Sequence, residues 1–175
     1  MRSASPLLHT LFFTVIVPGM VAGYLPWSLR GSGHISHGPD LWIAILAIVL
    51  GAAIYLHAAF WGFALRGRGT PAPIPPTQKL VVEGLHQYVR NPMYIGASSA
   101  LVGAAIFYQS VALAAFVFLF FATAYLFVVM YEEPTLRRSF GPEYEVYCRH
   151  IRRWLPKLHP ARDVANSLSA QKHHV

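Results

Sequence analysis

Gln78-Lys79-Leu80-Val81-Val82-Glu83-Gly84-Leu85-His86-Gln87-Tyr88-Val89-Arg90-Asn91-Pro92-Met93-Tyr94 is a polar interruption between long apolar runs, broken by Gly84 and Pro92. Its second half reads as a helix start. Asn91 can cap, and Pro92 can take the first helical position, where a missing N–H costs nothing. Arg90 does not fit that start, because a cation there faces the positive end of the helix dipole. An anion should offset it. Glu132 and Glu133, beyond the next apolar hairpin, are the best candidates.

The runs on either side are membrane-like. Apolar residues make up 55% of the 175-residue chain and charged residues 12%, against roughly 25% charged in ordinary soluble domains. The net charge is +7. The basic residues gather between and after the apolar runs, as the positive-inside rule expects, rather than along a nucleic-acid stripe. Cys148 is the only cysteine, so no intramolecular disulfide can form.

Outward from the central stretch, the chain divides into one membrane domain, residues 1–175. Two N-terminal spans are expected within residues 1–65. The first covers 7–29, kinked by Pro18, with a signal peptide as its rival reading. The second covers 41–65 and includes His57, an intramembrane ionisable group that is a functional candidate or a neutral histidine facing the bundle. Between them, His34 and His37 lie in a glycine-rich stretch that reads as a solvated loop, not a metal site. Arg66 and Arg68 place the end of the second span on the cytoplasmic side. The prolines of 69–77 make a stiff connector that leads into Gln78.

Residues 93–108 and 111–131 read as a helical hairpin punctuated by Gln109 and Ser110. The first arm is short for a span, at roughly 24 Å. It is rich in small residues around Gly96 and Gly103, which favour close helix packing; close approach of a cofactor near Gly96 is the sharper alternative. Beyond it, Gly141 should end one short helix and Pro142 start another. Tyr144, Tyr147, Cys148 and Ile151 share one face, flanked by Arg149, Arg152 and Arg153, which suggests an amphipathic helix on the membrane surface. A polar tail, 157–175, carries His173 and His174. The expected architecture is therefore all-α and polytopic: about four transmembrane helices including the hairpin, an interfacial C-terminal helix, and both termini cytoplasmic.

The hairpin should return Glu132 and Glu133 to the side where Arg90 lies. Solvated headgroup contacts, or caps for a helix starting at Pro134, would explain the same carboxylates without chemistry. Gly67 and Gly69 give a lone G-x-G with no preceding strand, so a Rossmann site is unsupported. Walker, nucleophile-elbow and zinc spacings are absent from the sequence.

Three ordered motifs carry a resemblance. They are Gly84-Leu85-His86-Gln87-Tyr88-Val89-Arg90-Asn91-Pro92-Met93-Tyr94-Ile95-Gly96; Glu132-Glu133 followed by Leu136, Phe140-Gly141, Tyr144 and Tyr147; and Arg153-Trp154-Leu155-Pro156. Together they resemble the isoprenylcysteine carboxyl methyltransferase family, which is related to the membrane phospholipid N-methyltransferases. The resemblance covers residues 78–156. It implies a membrane-embedded, S-adenosylmethionine-dependent methyltransferase without a Rossmann fold. Its cofactor pocket would open to the cytosol, and a lipophilic acceptor would arrive from the bilayer. By position it implies cofactor contacts from Gln78, Lys79, Leu80, Val81, His86, Asn91, Pro92, Met93, Tyr94 and Glu132, with Gly84 permitting the turn. Arg90, Glu132 and Glu133 are the candidate catalytic residues; no metal and no nucleic acid is expected. Three positions depart from the family. His86 stands where eukaryotic members have Tyr, Asn91 where they have His, and Val128 where the carboxyl methyltransferases place an Arg that helps the substrate carboxylate. Phospholipid (phosphatidylethanolamine) N-methylation and a non-catalytic membrane scaffold are the alternative readings.

Overall fold

The computed structural model describes residues 19–31, 34–59 and 80–160. Among these residues every regular element is helical. A π-helical turn, Gly19–Tyr24, leads into α1, Leu25–Leu29. Helix α2, Pro39–Leu56, starts with a proline in its first turn and Asp40 beside it. Both suit a helix N-terminus, one by its fixed φ and the other by its charge. Helix α3, Pro92–Phe107, and helix α4, Val111–Phe127, form the expected hairpin. Its corner is Gln109 at φ 47°, and the Ser110 hydroxyl accepts a hydrogen bond from the Leu113 N–H at 3.3 Å. A π-helical turn, Val128–Glu132, then joins α4 to α5, Glu133–His150. Gly141, at φ 49° and ψ −124°, breaks α5 just before Pro142, as the sequence suggests.

The small residues of α3 serve packing. A Cβ on Gly96 would lie 2.7 Å from the Gly51 carbonyl oxygen, and one on Gly51 would lie 2.5 Å from the Ala100 nitrogen. The neighbour that needs a bare backbone at Gly96 is thus helix α2. The Ser99 hydroxyl adds a hydrogen bond to the Ala47 carbonyl at 3.2 Å. Close backbone approach of this kind is how helices associate where lipid removes the hydrophobic drive.

Two of the described helical stretches are long and apolar enough to cross a membrane: Pro39–Ala59 and the run beginning at Val111. Their large apolar side chains point outward; Trp42 is 71% exposed and Phe118 78%. Such a surface suits hydrocarbon and not water. Helix α3 is apolar but shorter, at 16 residues. The described residues therefore show two helices of spanning length and a short third, against four expected. The first expected span is described only from Gly19, and the second, as described, stops at Ala59. Pro18, Arg66, Arg68, the 69–77 connector and the tail with His173 and His174 lie outside the described residues.

The apolar face of α5 differs from expectation. Tyr144, Tyr147 and Ile151 are buried, but they pack on Val82 of the polar stretch, with Leu80 and Leu136 against them. The face is covered by the protein's own loop instead of lying open to lipid. Helical periodicity identifies which side of a helix is apolar, not what covers it.

Candidate functional site

The loop 80–91 is held by α5 and by the segment that follows it. Gly84, at φ 60°, starts a single 3₁₀ turn, Gly84–Gln87; glycine takes that conformation without the Cβ clash other residues meet. The Tyr147 hydroxyl donates to the His86 carbonyl at 2.9 Å from α5. The segment after α5 then runs along the loop. The Arg90 N–H donates to the Arg152 carbonyl at 3.0 Å, and the Lys157 N–H donates to the Tyr88 carbonyl at 2.9 Å. Asn91 does not cap α3 with its side chain. Its amide nitrogen instead donates to the Arg153 carbonyl at 3.2 Å, a tertiary bond that displaces the local one.

The hairpin does bring its two ends together. The Tyr94 hydroxyl donates to Glu132 Oε2 at 3.1 Å. Arg90 Nη2 lies 3.3 Å from Glu133 Oε1, with both side chains almost wholly buried. The anion that offsets Arg90 is therefore Glu133, while Glu132 answers to Tyr94. Glu133 is also gripped by Arg153, whose Nε and Nη2 donate to its two oxygens at 2.6 and 2.8 Å. Such a two-pronged bond is among the stronger polar contacts a protein makes. The Glu133 contact holds the Arg153 guanidinium above its ordinary pKa.

A hollow of about 60 Å³ opens between these groups. Leu80, Val81, His86, Arg90, Asn91, Glu132 and Glu133 line it, joined by Leu136, Tyr144 and Tyr147. Of the remaining expected residues, Pro92 is fully buried beneath the loop, Met93 is half-buried, and Tyr94 reaches the site through Glu132. Gln78 and Lys79 lie outside the described residues. His57 stands exposed at the end of α2.

Reading the sequence residue by residue misses two contributors. In the sequence Arg153 reads only as a flanking cation, since its tie to Glu133 spans 20 positions. Trp154 packs on Tyr94, Phe121 and Tyr125, with ring centroids 6.3, 5.1 and 6.1 Å away. It wedges the post-α5 segment against the hairpin. The available signal was the Arg153-Trp154-Leu155-Pro156 motif, a polar-aromatic cluster placed after a helix end.

His86 makes the site pH-sensitive. Burial lowers its pKa to about 4, and the nearby His57 pushes the same way, against a backbone hydrogen bond involving Glu83. A histidine with a depressed folded pKa is neutral in the fold, while the unfolded chain binds its proton first. The stability it allows is complete above the unfolded pKa of about 6.5 and is lost as pH falls toward 4. We expect unfolding in detergent to become easier by up to about 3 kcal/mol across that window. His86→Gln should flatten the slope; an unchanged slope would contradict the assignment.

A family model for "Phospholipid methyltransferase" matches residues 39–143, from the start of α2 to just past the break in α5. The chain belongs to the phospholipid methyltransferase family. That family includes isoprenylcysteine carboxyl methyltransferase-like members, in line with the motifs at Gly84–Gly96 and Glu132–Tyr147. The matched stretch holds Arg90, Asn91, Tyr94, Glu132 and Glu133, and ends before Arg153. Among curated proteins, the chain is 27% identical over 149 residues to the nickel-cobalt-cadmium resistance protein NccN of Alcaligenes xylosoxydans xylosoxydans, covering 83% of this chain and 61% of that protein. The chain thus spans about 61% of the length of that relative. No solved structure matches. The helices of spanning length and the family membership support a membrane location.

Proposed function

We propose that this phospholipid methyltransferase family protein is a multi-pass, S-adenosylmethionine-dependent methyltransferase acting on a small lipophilic acceptor, with its site at the cytoplasmic boundary. The observation that carries the reading is the meeting of Arg90, Asn91 and His86 with Glu132 and Glu133 around one hollow.

The side chains suit the cofactor's charges. S-adenosylmethionine carries an ammonium, a carboxylate and a sulfonium, and it supplies an electrophilic methyl group. Glu132 has no cationic partner among the described residues, only the Tyr94 hydroxyl. A half-buried carboxylate of that kind favours an incoming cation. Arg90 Nε is buried without a hydrogen-bond partner and can serve a carboxylate. The Tyr94 ring offers a π face to a sulfonium. Leu80 and Val81 supply apolar wall, and His86 and Asn91 supply polar contacts. The hollow is well below the roughly 300 Å³ or more of a ligand pocket, so it must widen to take the cofactor. In-line methyl transfer depends mainly on positioning and on excluding water. An amine or hydroxyl acceptor also needs a base. Glu133, forked by Arg153 and ion-paired with Arg90, suits that role poorly, which leaves Glu132 or His86.

Phosphatidylethanolamine N-methylation is the second reading. It is favoured by the family's own description and by the fully buried Val128, which offers no cation for an acceptor carboxylate. Incubating the detergent-purified protein with methyl-labelled cofactor and separated lipid classes tests the two. Label in the ethanolamine lipids selects the second reading, label in other lipophilic metabolites the first, and label in neither rejects catalysis in favour of a scaffold role. Glu132→Ala should weaken cofactor affinity about tenfold or more, a loss of about 1.4 kcal/mol per decade, while the helix bundle stays folded. Unchanged affinity would remove Glu132 from the site.

A further inference from the structure

We propose that Arg153 and Glu133 are positioning residues that aim Arg90 into the site, so that Glu133 works as a fixed bracket and not as a proton acceptor. Its consequence for cofactor affinity rests on the methyltransferase reading; its geometry does not.

Glu133 accepts two hydrogen bonds from Arg153 and forms an ion pair with Arg90. Arg153 grips it with Nε and Nη2 at 2.6 and 2.8 Å, and Arg90 Nη2 approaches at 3.3 Å. The planar fork of Arg153 fixes the plane of the carboxylate. The fixed carboxylate in turn fixes one edge of the Arg90 guanidinium. Its other edge rests on Cys148, with Nη1 2.6 Å from Sγ. Arg90 would otherwise be a long side chain with many rotamers. Arg153 is itself delivered by the segment that follows α5, which is bonded to the loop carrying Arg90 through Arg152, Lys157 and Asn91. The bracket and the group it aims therefore belong to one hydrogen-bonded unit, and a carboxylate committed to two cations has little tendency to take a proton.

Cys148 supplies a reporter that needs no cofactor, because it is the only cysteine in the chain and Arg90 lies on its sulfur. Labelling by a water-soluble maleimide is followed in detergent for the wild type, Arg90→Gln, Arg153→Gln, Arg153→Lys and the Arg90→Gln/Arg153→Gln pair. Compared as pH profiles, so that a change in thiolate fraction is separated from access, uncovering the sulfur should raise the high-pH labelling plateau about fivefold in each glutamine variant, with no further gain in the pair, which is the non-additivity expected of coupled residues. Arg153→Lys should fall between, since it keeps the charge but loses the fork; it also serves if Arg153→Gln does not fold. Rates that multiply in the pair, or an Arg153→Gln or Arg153→Lys protein that labels like the wild type, would overturn the proposal. S-adenosylmethionine affinity is measured on the same proteins and should show the same non-additivity. Coupled labelling in a wild type that binds no cofactor would end the methyltransferase reading and leave the bracket standing. Cofactor binding with uncoupled labelling would do the reverse.

Discussion

Glu133→Ala is expected to destabilise the protein by about 3 kcal/mol or more, the usual result of removing one member of a buried ionic cluster. The reason is what remains. Arg90, with 10% of its side chain exposed, keeps only the Cys148 sulfur and cannot reach water without unpacking the loop. Arg153, 31% exposed, can turn outward and recover part of its hydration, which limits the loss. The companion variant separates charge from packing. Arg90→Met with Glu133→Leu removes both buried charges, and burying neither is often neutral for stability. The double variant should therefore melt nearer to the wild type than Glu133→Ala does. If the single and double variants melt together, the buried pair is not what holds the loop.

Gly96→Ala should cost about 2–3 kcal/mol, and Gly51→Leu should prevent α2 and α3 from closing at all. Atoms within 2.7 Å of the added Cβ at Gly96 are backbone: the Gly51 oxygen and the Tyr55 nitrogen. Backbone cannot rotate away as a side chain can, so the helices must separate. Separation breaks the bond from Ser99 to the Ala47 carbonyl and opens the Gly103 contact with Ala44. The loop 80–91 leads directly into α3, so the site should loosen as well. Thermal unfolding in detergent reads both effects. Melting of Gly96→Ala within a degree or two of the wild type would mean that the crossing is wider than described.

The sequence makes the hairpin legible because its breakers are local. Gln109 and Ser110 interrupt two apolar runs, and a polar pair at such a place can hardly be anything but a corner. The meeting of Arg90 with the acids at 132 and 133 is legible for the same reason, since a hairpin returns the chain to its starting side. Which acid does what is not legible. Adjacent helical residues diverge by roughly 100°, and a π-helical turn at Val128–Glu132 sets where each carboxylate points. Glu132 reaches Tyr94 and Glu133 reaches the arginines, a division that depends on tertiary packing. Asn91 shows the same limit from the other side. Its place before Pro92 favours a cap, yet Arg153, 62 positions away, offers a carbonyl that its amide takes instead. For the apolar face of α5, the spacing of Tyr144, Tyr147 and Ile151 is right and the medium is wrong, because Val82 fills the place expected for lipid. The shortness of α3 is legible in its 16-residue run, whereas the described residues show two helices of spanning length where about four are expected.

Titration calorimetry of S-adenosylmethionine into the folded, detergent-solubilised protein tests the central claim most directly. Saturable one-site binding in the wild type, weakened at least about tenfold in Glu132→Ala, is the predicted result. No heat of binding from a wild type shown to be folded would contradict the claim that Arg90, Tyr94 and Glu132 form a methyl-donor site.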